Sequence, residues 1–336
     1  MEVLELKKCR EEMKSKYKKL KEELKVERFG VARFRYDDEA FKFYTGFENI
    51  QFFRNFFDVL QPAANNMQSC YYQHAEALNS MAGRPRCMLL VDELFMLMCW
   101  MHLGLEEMDL AVQFHCSVAT VNRKLITWIN LLYMVFGSWN LWLSRAAVDE
   151  QMPQMFKDKY PSTRVIIDCT EIECQHPKSI IVNSLIYSTY KSANTVKGLI
   201  GIAPSGQITF ISTLYSGAMS DAAEVTSLCG LFDLLEVGDS VMADKGSKMY
   251  TMLQERDVVN LNIPASLRCN QHFSASDIAE TKDIAALKLQ GERAIEKIKT
   301  YKIFSRVIPL TLFGSINQIW SIAAVLANFK KPLMRE

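Results

Sequence analysis

No two of the nine cysteines in this 336-residue sequence have the CxxC spacing, and nine is an odd number. Several of them lie inside apolar runs, where cysteine behaves as a small hydrophobe. A disulfide framework is therefore excluded, and a reducing intracellular compartment is expected. No pair of His and Cys residues has zinc-finger spacing, and His176, followed by Pro177, reads as a surface loop residue. The start of the chain is charged and lacks an apolar signal region. The apolar stretch LFMLMCWMHLGL (94–105) has only twelve residues, short of the ~20 that a spanning helix needs, so no membrane role is expected. Excess charge of either sign is also lacking. With 39 Lys and Arg against 38 Asp and Glu, the net charge is +1. Any attraction to nucleic acid must then come from local basic patches. What remains is an ordinary globular composition, 49% apolar and 23% charged, with room for one large domain or two smaller ones.

Residues 1–28 carry ten Lys or Arg and seven Glu. Leu6, Met13, Tyr17, Leu20 and Leu24 recur at helical spacing, which predicts a charged helix with a short coiled-coil seam or a solvated helical linker. Residues 29–86 hold a Phe-rich segment, 41–60, expected to be helical, and then a polar stretch ending in GRPR. In 87–140 the pattern predicts three helices: an apolar one stopping at Gly104, LEEMDLAVQFHC, and SVATVNRKLITWINLLYMVF with Ser117 as its N-cap. Their tight joint gives a helix-turn-helix outline. On that reading Thr120, Asn122, Arg123 and Lys124 stand on the recognition helix, where Asn and Arg suit adenine and guanine edges. An ordinary helical hairpin packed on the rest of the protein fits the same outline.

Residues 160–330 alternate strand and helix signals. TRVIIDCTEIEC reads as a strand, VKGLIGIAPSGQITFISTLYSG as a hairpin turned at Pro-Ser-Gly, and GDSVMADKG and VVNLNIPAS as further strands. SDAAEVTSLCGLFDLL, KMYTMLQERD, the tract around GERAIEKIK and INQIWSIAAVLANF (316–329) read as helices. This order predicts an α/β fold, a mixed sheet with helices on its faces.

Three carboxylates stand out. Asp168 and Asp244 each follow a short apolar run and are expected at strand ends, where α/β folds place reacting groups. Glu292 lies in the helix-like repeat. Gathered together, such acids could hold two divalent ions roughly 3.5–4 Å apart for in-line attack on a phosphodiester. A solvated strand-end turn for each aspartate and an exposed helical ion pair for Glu292 are the competing readings. Asp221, in DAAE, could equally be a helix cap.

The ordered blocks VIIDCTEIECQHP, YKSANTVKGLIGIAPSGQITFIS, SGAMSDAAEV, GDSVMADKGS and ERAIEKIKTYKIF closely resemble the catalytic domain of PIF/Harbinger-type transposases of the DDE superfamily. The resemblance covers 160–330, and 87–140 resembles the helix-turn-helix that precedes this nuclease in such proteins. It implies an α/β ribonuclease H-like domain with helices on both faces of a mixed sheet, preceded by an all-α region. It also implies metal-dependent cleavage and transfer of DNA strands, with Mg²⁺ or Mn²⁺ and two ions expected. Asp168, Asp244 and Glu292 match the catalytic, metal-holding acids, and Asp221 a further acidic position. Lys191 and Lys197 fall in a stretch whose basic residues are expected to meet DNA phosphate. Relatives carry Arg-Gly where this chain has Lys245-Gly246, His and an apolar residue where it has Gln290-Gly291, and Gly where it has Glu296. Gly291 is expected to weaken the helix beside Glu292, and Glu296 adds a second carboxylate one turn on. The THAP-type finger of longer relatives is not seen in this sequence.

Two function classes follow. One is a DNA endonuclease or transposase acting on terminal-repeat or target DNA in the nucleus, as a homo-oligomer or with an accessory DNA-binding protein. The other is a domesticated DNA- or protein-binding factor that no longer cuts.

Overall fold

The computed structural model describes residues 2–67, 88–219, 225–226, 228–243, 260–262, 287 and 289–330. Asp221, Asp244, the GRPR stretch and the predicted KMYTMLQERD helix lie outside the described residues, as does the first part of the predicted SDAAEV helix. The chain divides into two compact units, Met1–Leu131 and Leu132–Glu336.

The first unit is helical: α1 (Glu2–Glu27), α2 (Asp38–Thr45), α3 (Ile50–Asn65), α4 (Leu90–Leu103), α5 (Glu107–Gln113) and the beginning of α6 (Val118–Gly137). Met13, Tyr17 and Leu20 of the expected seam are exposed on α1. The Phe-rich segment, expected to be helical, forms two helices. Gly46 takes a left-handed conformation (φ 77°) that ends α2, and the Asn49 side chain accepts the Phe52 N–H to start α3. Phe34, Phe41 and Phe95 pack together in its interior at centroid distances of 5.6–6.3 Å. Gly104 (φ 63°) ends α4 where the sequence placed the stop. Ser117 caps α6 as expected, its hydroxyl accepting the Thr120 N–H at 3.2 Å.

The second unit is built on a mixed sheet. After α7 (Arg145–Glu150) and α8 (Gln154–Lys159) come β1 (Thr163–Glu173), α9 (Ile180–Ile186), β2 (Tyr187–Ser188), β3 (Ala193–Ile202), β4 (Ile208–Ile211) and β5 (Tyr215–Ser216). The remaining elements are β6 (Ser240–Met242), β7 (Asn260–Asn262), a helix over 289–299 (α10) and α11 (Ile316–Ala327). Among the described residues the strand path is β2-β3-β1-β6-β7, with β4 and β5 also paired to β3. The predicted hairpin is present, β3 and β4 pairing antiparallel around a turn with Gly206 at φ 89°. β6 and β7 lie parallel to β1 and to each other.

Side chains alternate across β1, as strand geometry requires. Val165 and Ile167 join Leu199, Val241 and Leu231 on one face. Ile166 joins Met242, Leu287 and the α7–α8 residues Val148, Met152 and Phe156 on the other. Helical segments thus cover both faces. α11 lies over β3 as the apolar 316–329 run predicted: a Cβ at Gly198 would stand 2.7 Å from the Trp320 ring, so only glycine permits that approach. The Trp320 indole N–H donates to the Ser212 carbonyl at 3.2 Å.

Candidate active site

Asp168 lies within β1, not at its end as the apolar run suggested. The strand continues to Glu173 because Cys169 through Glu173 still pair with Leu199 through Thr195 of β3. What does end near Asp168 is the parallel neighbour. Ile166 pairs with Met242, the last residue of β6. Ile166 and Met242 are 76 positions apart, the same separation as Asp168 and Asp244. Each aspartate therefore follows the paired residue of its own strand by two positions. One Asp168 oxygen, Oδ1, accepts the Cys169 N–H at 2.8 Å.

α10 crosses this strand at Gly291. A Cβ built there would be 3.1 Å from the Asp168 Cβ and 3.2 Å from its Oδ2. The glycine expected to loosen the helix is the residue that lets the helix touch the aspartate. Leu287, four residues earlier and also helical, packs with Ile166 and Met242, a second contact with the same face of the sheet. Glu292 follows immediately, and both it and Glu296 are exposed. The structure thus brings together Asp168 and the helix that bears Glu292. Among the described residues no three His, Cys, Asp or Glu side chains stand close enough to hold a metal ion; Asp244 and Asp221 are not among those residues.

Basic groups surround the strand beyond Asp168. Lys197 is buried, its ammonium 3.5 Å from Glu171 and donating to the Met219 carbonyl. Thr195 donates to the same Glu171 carboxylate at 2.9 Å. Lys197 therefore faces the interior of the unit, whereas a phosphate contact had been expected of it. Lys191 is exposed at the tip between β2 and β3, beside Tyr190, with its Nζ 5.6 Å from that ring. Lys299, on α10, is half-buried. Burial and the nearby Lys191 hold its ammonium below the usual lysine range, against the opposing pull of Asp168, Glu171 and Glu173. Burial, reinforced by Asp168, pushes the Cys169 thiol up to about 12, so it stays protonated. Neither Glu171 nor Lys299 was among the site residues expected from the sequence. The alternation of β1 placed Glu171 beside Cys169, but only the register with β3 shows that it meets Lys197.

Residues 167–328 match the family described as DDE superfamily endonuclease. The matched DDE superfamily endonuclease stretch begins one residue before Asp168 and ends one residue after α11, so it takes in most of β1, the β3–β4 hairpin, β6 and both C-terminal helices. A mixed sheet with helices is consistent with a ribonuclease H-like domain of that superfamily. No curated protein and no solved structure matches the chain.

In the first unit, all four residues expected to read DNA make hydrogen bonds or ion pairs within the protein. Asn122 donates to Glu107 at 3.0 Å, and Lys124 pairs with Glu93, a carboxylate only 2% exposed. The Trp128 indole donates to the other Glu93 oxygen at 3.0 Å. Thr120 shares a hydrogen bond with Ser117 at 2.9 Å. Arg123 is exposed, its Nε donating to the Ala119 carbonyl one turn back at 3.0 Å.

Proposed function

We propose that this protein is a metal-dependent DNA endonuclease of transposase type, related to the PIF/Harbinger group and acting in the nucleus. The observation that carries this reading is the contact of Gly291 with Asp168 inside the matched endonuclease stretch. It supports the reading because the helix bearing Glu292 lies against the strand bearing Asp168. Asp168, Asp244 and Glu292 would hold two divalent ions, Mg²⁺ or Mn²⁺, and the donor chemistry fits, because such hard cations prefer carboxylate oxygens. When bound, the ions supply activation of the attacking oxygen and stabilisation of the leaving 3′-oxygen.

The chain's own residues provide the setting. The Cys169 N–H orients the Asp168 carboxylate through Oδ1. Lys299 and Lys191 add positive charge beside the β1 acids, which favours an approaching phosphodiester. Arg123 on α6 and Lys191 on the β2–β3 tip are exposed cations that would meet backbone phosphate. Asp221 is kept as an auxiliary acid. α4, α5 and α6 serve as the DNA-docking helix-turn-helix, and Glu93 fixes how α4 and α6 pack.

Supercoiled and terminal-repeat DNA incubated with Mg²⁺ or Mn²⁺ should be nicked, and Asp168→Asn and Asp244→Ala should each abolish nicking in folded protein. Metal-independent cleavage, or cleavage unchanged by either variant, would sink the endonuclease reading. The exposed Glu296, one turn from Glu292, favours a second reading, a domesticated DNA-binding factor. DNA binding with strong salt dependence but no nicking under any metal condition would establish it.

A further inference from the structure

A second concave site lies in the Leu132–Glu336 unit, away from Asp168. It is a cavity of about 500 Å³ bounded by the β3–β4 turn, the C-terminal end of α11 and one side of α10. Lys297 and Lys330 both line it. Burial lowers both ammonium groups, and Lys297 lowers Lys330 further. Two cations held close in a partly dry cavity repel each other, and a shared anion relieves that repulsion. Lys330 is held in place by donating to Thr300 and by lying 3.9 Å over the Tyr301 ring.

Other walls add to this. The Ser205 hydroxyl oxygen is buried at the cavity edge with no hydrogen-bond partner among the described residues, a donor that a ligand oxygen would satisfy. Gln207 offers an amide, and Trp139 and Phe329, with ring centroids 6.3 Å apart, supply an aromatic wall. Asn328 ties the end of α11 to β4 by bonding both the N–H and the carbonyl of Ile208, at 2.8 and 2.9 Å. The cavity rim is therefore braced rather than loose.

Lys297 is five residues from Glu292 on α10, about 140° around the helix axis. The cavity is thus a different site from the one that faces Asp168. Paired cations with a hydroxyl donor suit a phosphate, and an aromatic wall beside an amide suits a nucleobase. We infer that this cavity binds a nucleotide unit, its phosphate on Lys297 and Lys330 and its base against Trp139 and Phe329. The source is either a free nucleotide or an unpaired residue of a DNA strand.

The test uses the full-length wild-type chain. Lysine acetylation is followed by mass spectrometry with inorganic phosphate, deoxyadenosine monophosphate or a short single-stranded oligonucleotide present. The nucleotide or the oligonucleotide should protect Lys297 and Lys330 several-fold, with exposed Lys178 unchanged as the control. Protection by the mononucleotide assigns the free ligand; protection by the oligonucleotide alone assigns the strand. Trp139→Ala should lose this protection while phosphate still protects. A Lys297→Gln/Lys330→Gln double variant should bind the protecting probe roughly tenfold more weakly, as loss of charge-assisted hydrogen bonds implies. No protection by any probe overturns the proposal. So does phosphate protecting as well as the nucleotide with Trp139→Ala without effect, which would reduce the cavity to an anion site. Asp168→Asn should leave the footprint intact, so this inference and the endonuclease reading fail independently.

Discussion

Gly291 of α10 lies directly against Asp168 of β1, so that even a methyl group at position 291 would stand 3.1 Å from the aspartate Cβ. That distance is tighter than ordinary packing, and one of the two elements has to yield. Gly291→Ala gains about 1 kcal/mol of helix propensity and loses it again to the crowded contact. We predict a thermal midpoint close to that of the wild type. Metal-dependent nicking should fall by about tenfold or more, because displacement of a positioned group by a fraction of an ångström is enough to cost that much. Single-turnover nicking assays and a thermal melt check the pair of outcomes together.

Lys197 is buried, and the largely covered Glu171 carboxylate lies 3.5 Å from it. Lys197→Met should destabilise the protein by about 3 kcal/mol, because it leaves a carboxylate without its cation in the interior. Adding Glu171→Leu should restore much of the loss. Chemical denaturation of the single and double variants measures this coupling.

Lys124 and Arg123 are neighbours in sequence with different expected roles. Lys124→Met should lower the melting temperature by breaking the Glu93 pair. Arg123→Ala should leave stability within about 0.5 kcal/mol and reduce the slope of log affinity against log salt by about one for DNA. Salt titrations of DNA binding for the two variants separate these outcomes.

Lys330 gives a pH signature. Its folded-state value, lowered to about 8 by burial and by Lys297, lies below the ordinary lysine value of 10.5. Between these two values the unfolded chain binds the extra proton, so this group's contribution to stability rises with pH. Relative to Lys330→Met, the wild type should therefore gain stability from pH 8 towards pH 10. Tyr301 is fully buried with its hydroxyl held above the ordinary tyrosine value, so it opposes this trend only as pH passes about 10. Paired melts across that range test the sign.

The hairpin at Pro-Ser-Gly, the cap at Ser117, the stop at Gly104 and the apolar α11 were legible because each depends on local chain chemistry. Gly46 was equally local, yet the run of phenylalanines around it masked the break. The strand read over TRVIIDCTEIEC is β1, yet Asp168 was expected at its end because apolar patterning stops there. β1 runs on because its partner β3 continues, and pairing is a non-local fact. The same limit hid Glu171 and Lys299, ordinary charges in sequence that acquire meaning only through register and helix crossing. Asn122 and Lys124 had the right residue types for reading DNA. Nothing in a linear pattern shows that Glu107 and Glu93 lie within their reach.

The pairing of Ile166 with Met242 has a consequence for how this chain tolerates change. Strand register shifts only in whole residues, and a slip of one residue turns every side chain of the strand to the opposite face. The alignment of positions 166 and 242 is therefore a discrete setting rather than a dimension that can drift. Insertions or deletions in the loops between β1 and β6 alter the count of 76 without disturbing it. A single residue added within β6 itself would instead swap the faces of everything that follows in the strand. Length variation among related chains should accordingly collect in the connections and be absent from these three-residue and eleven-residue strands.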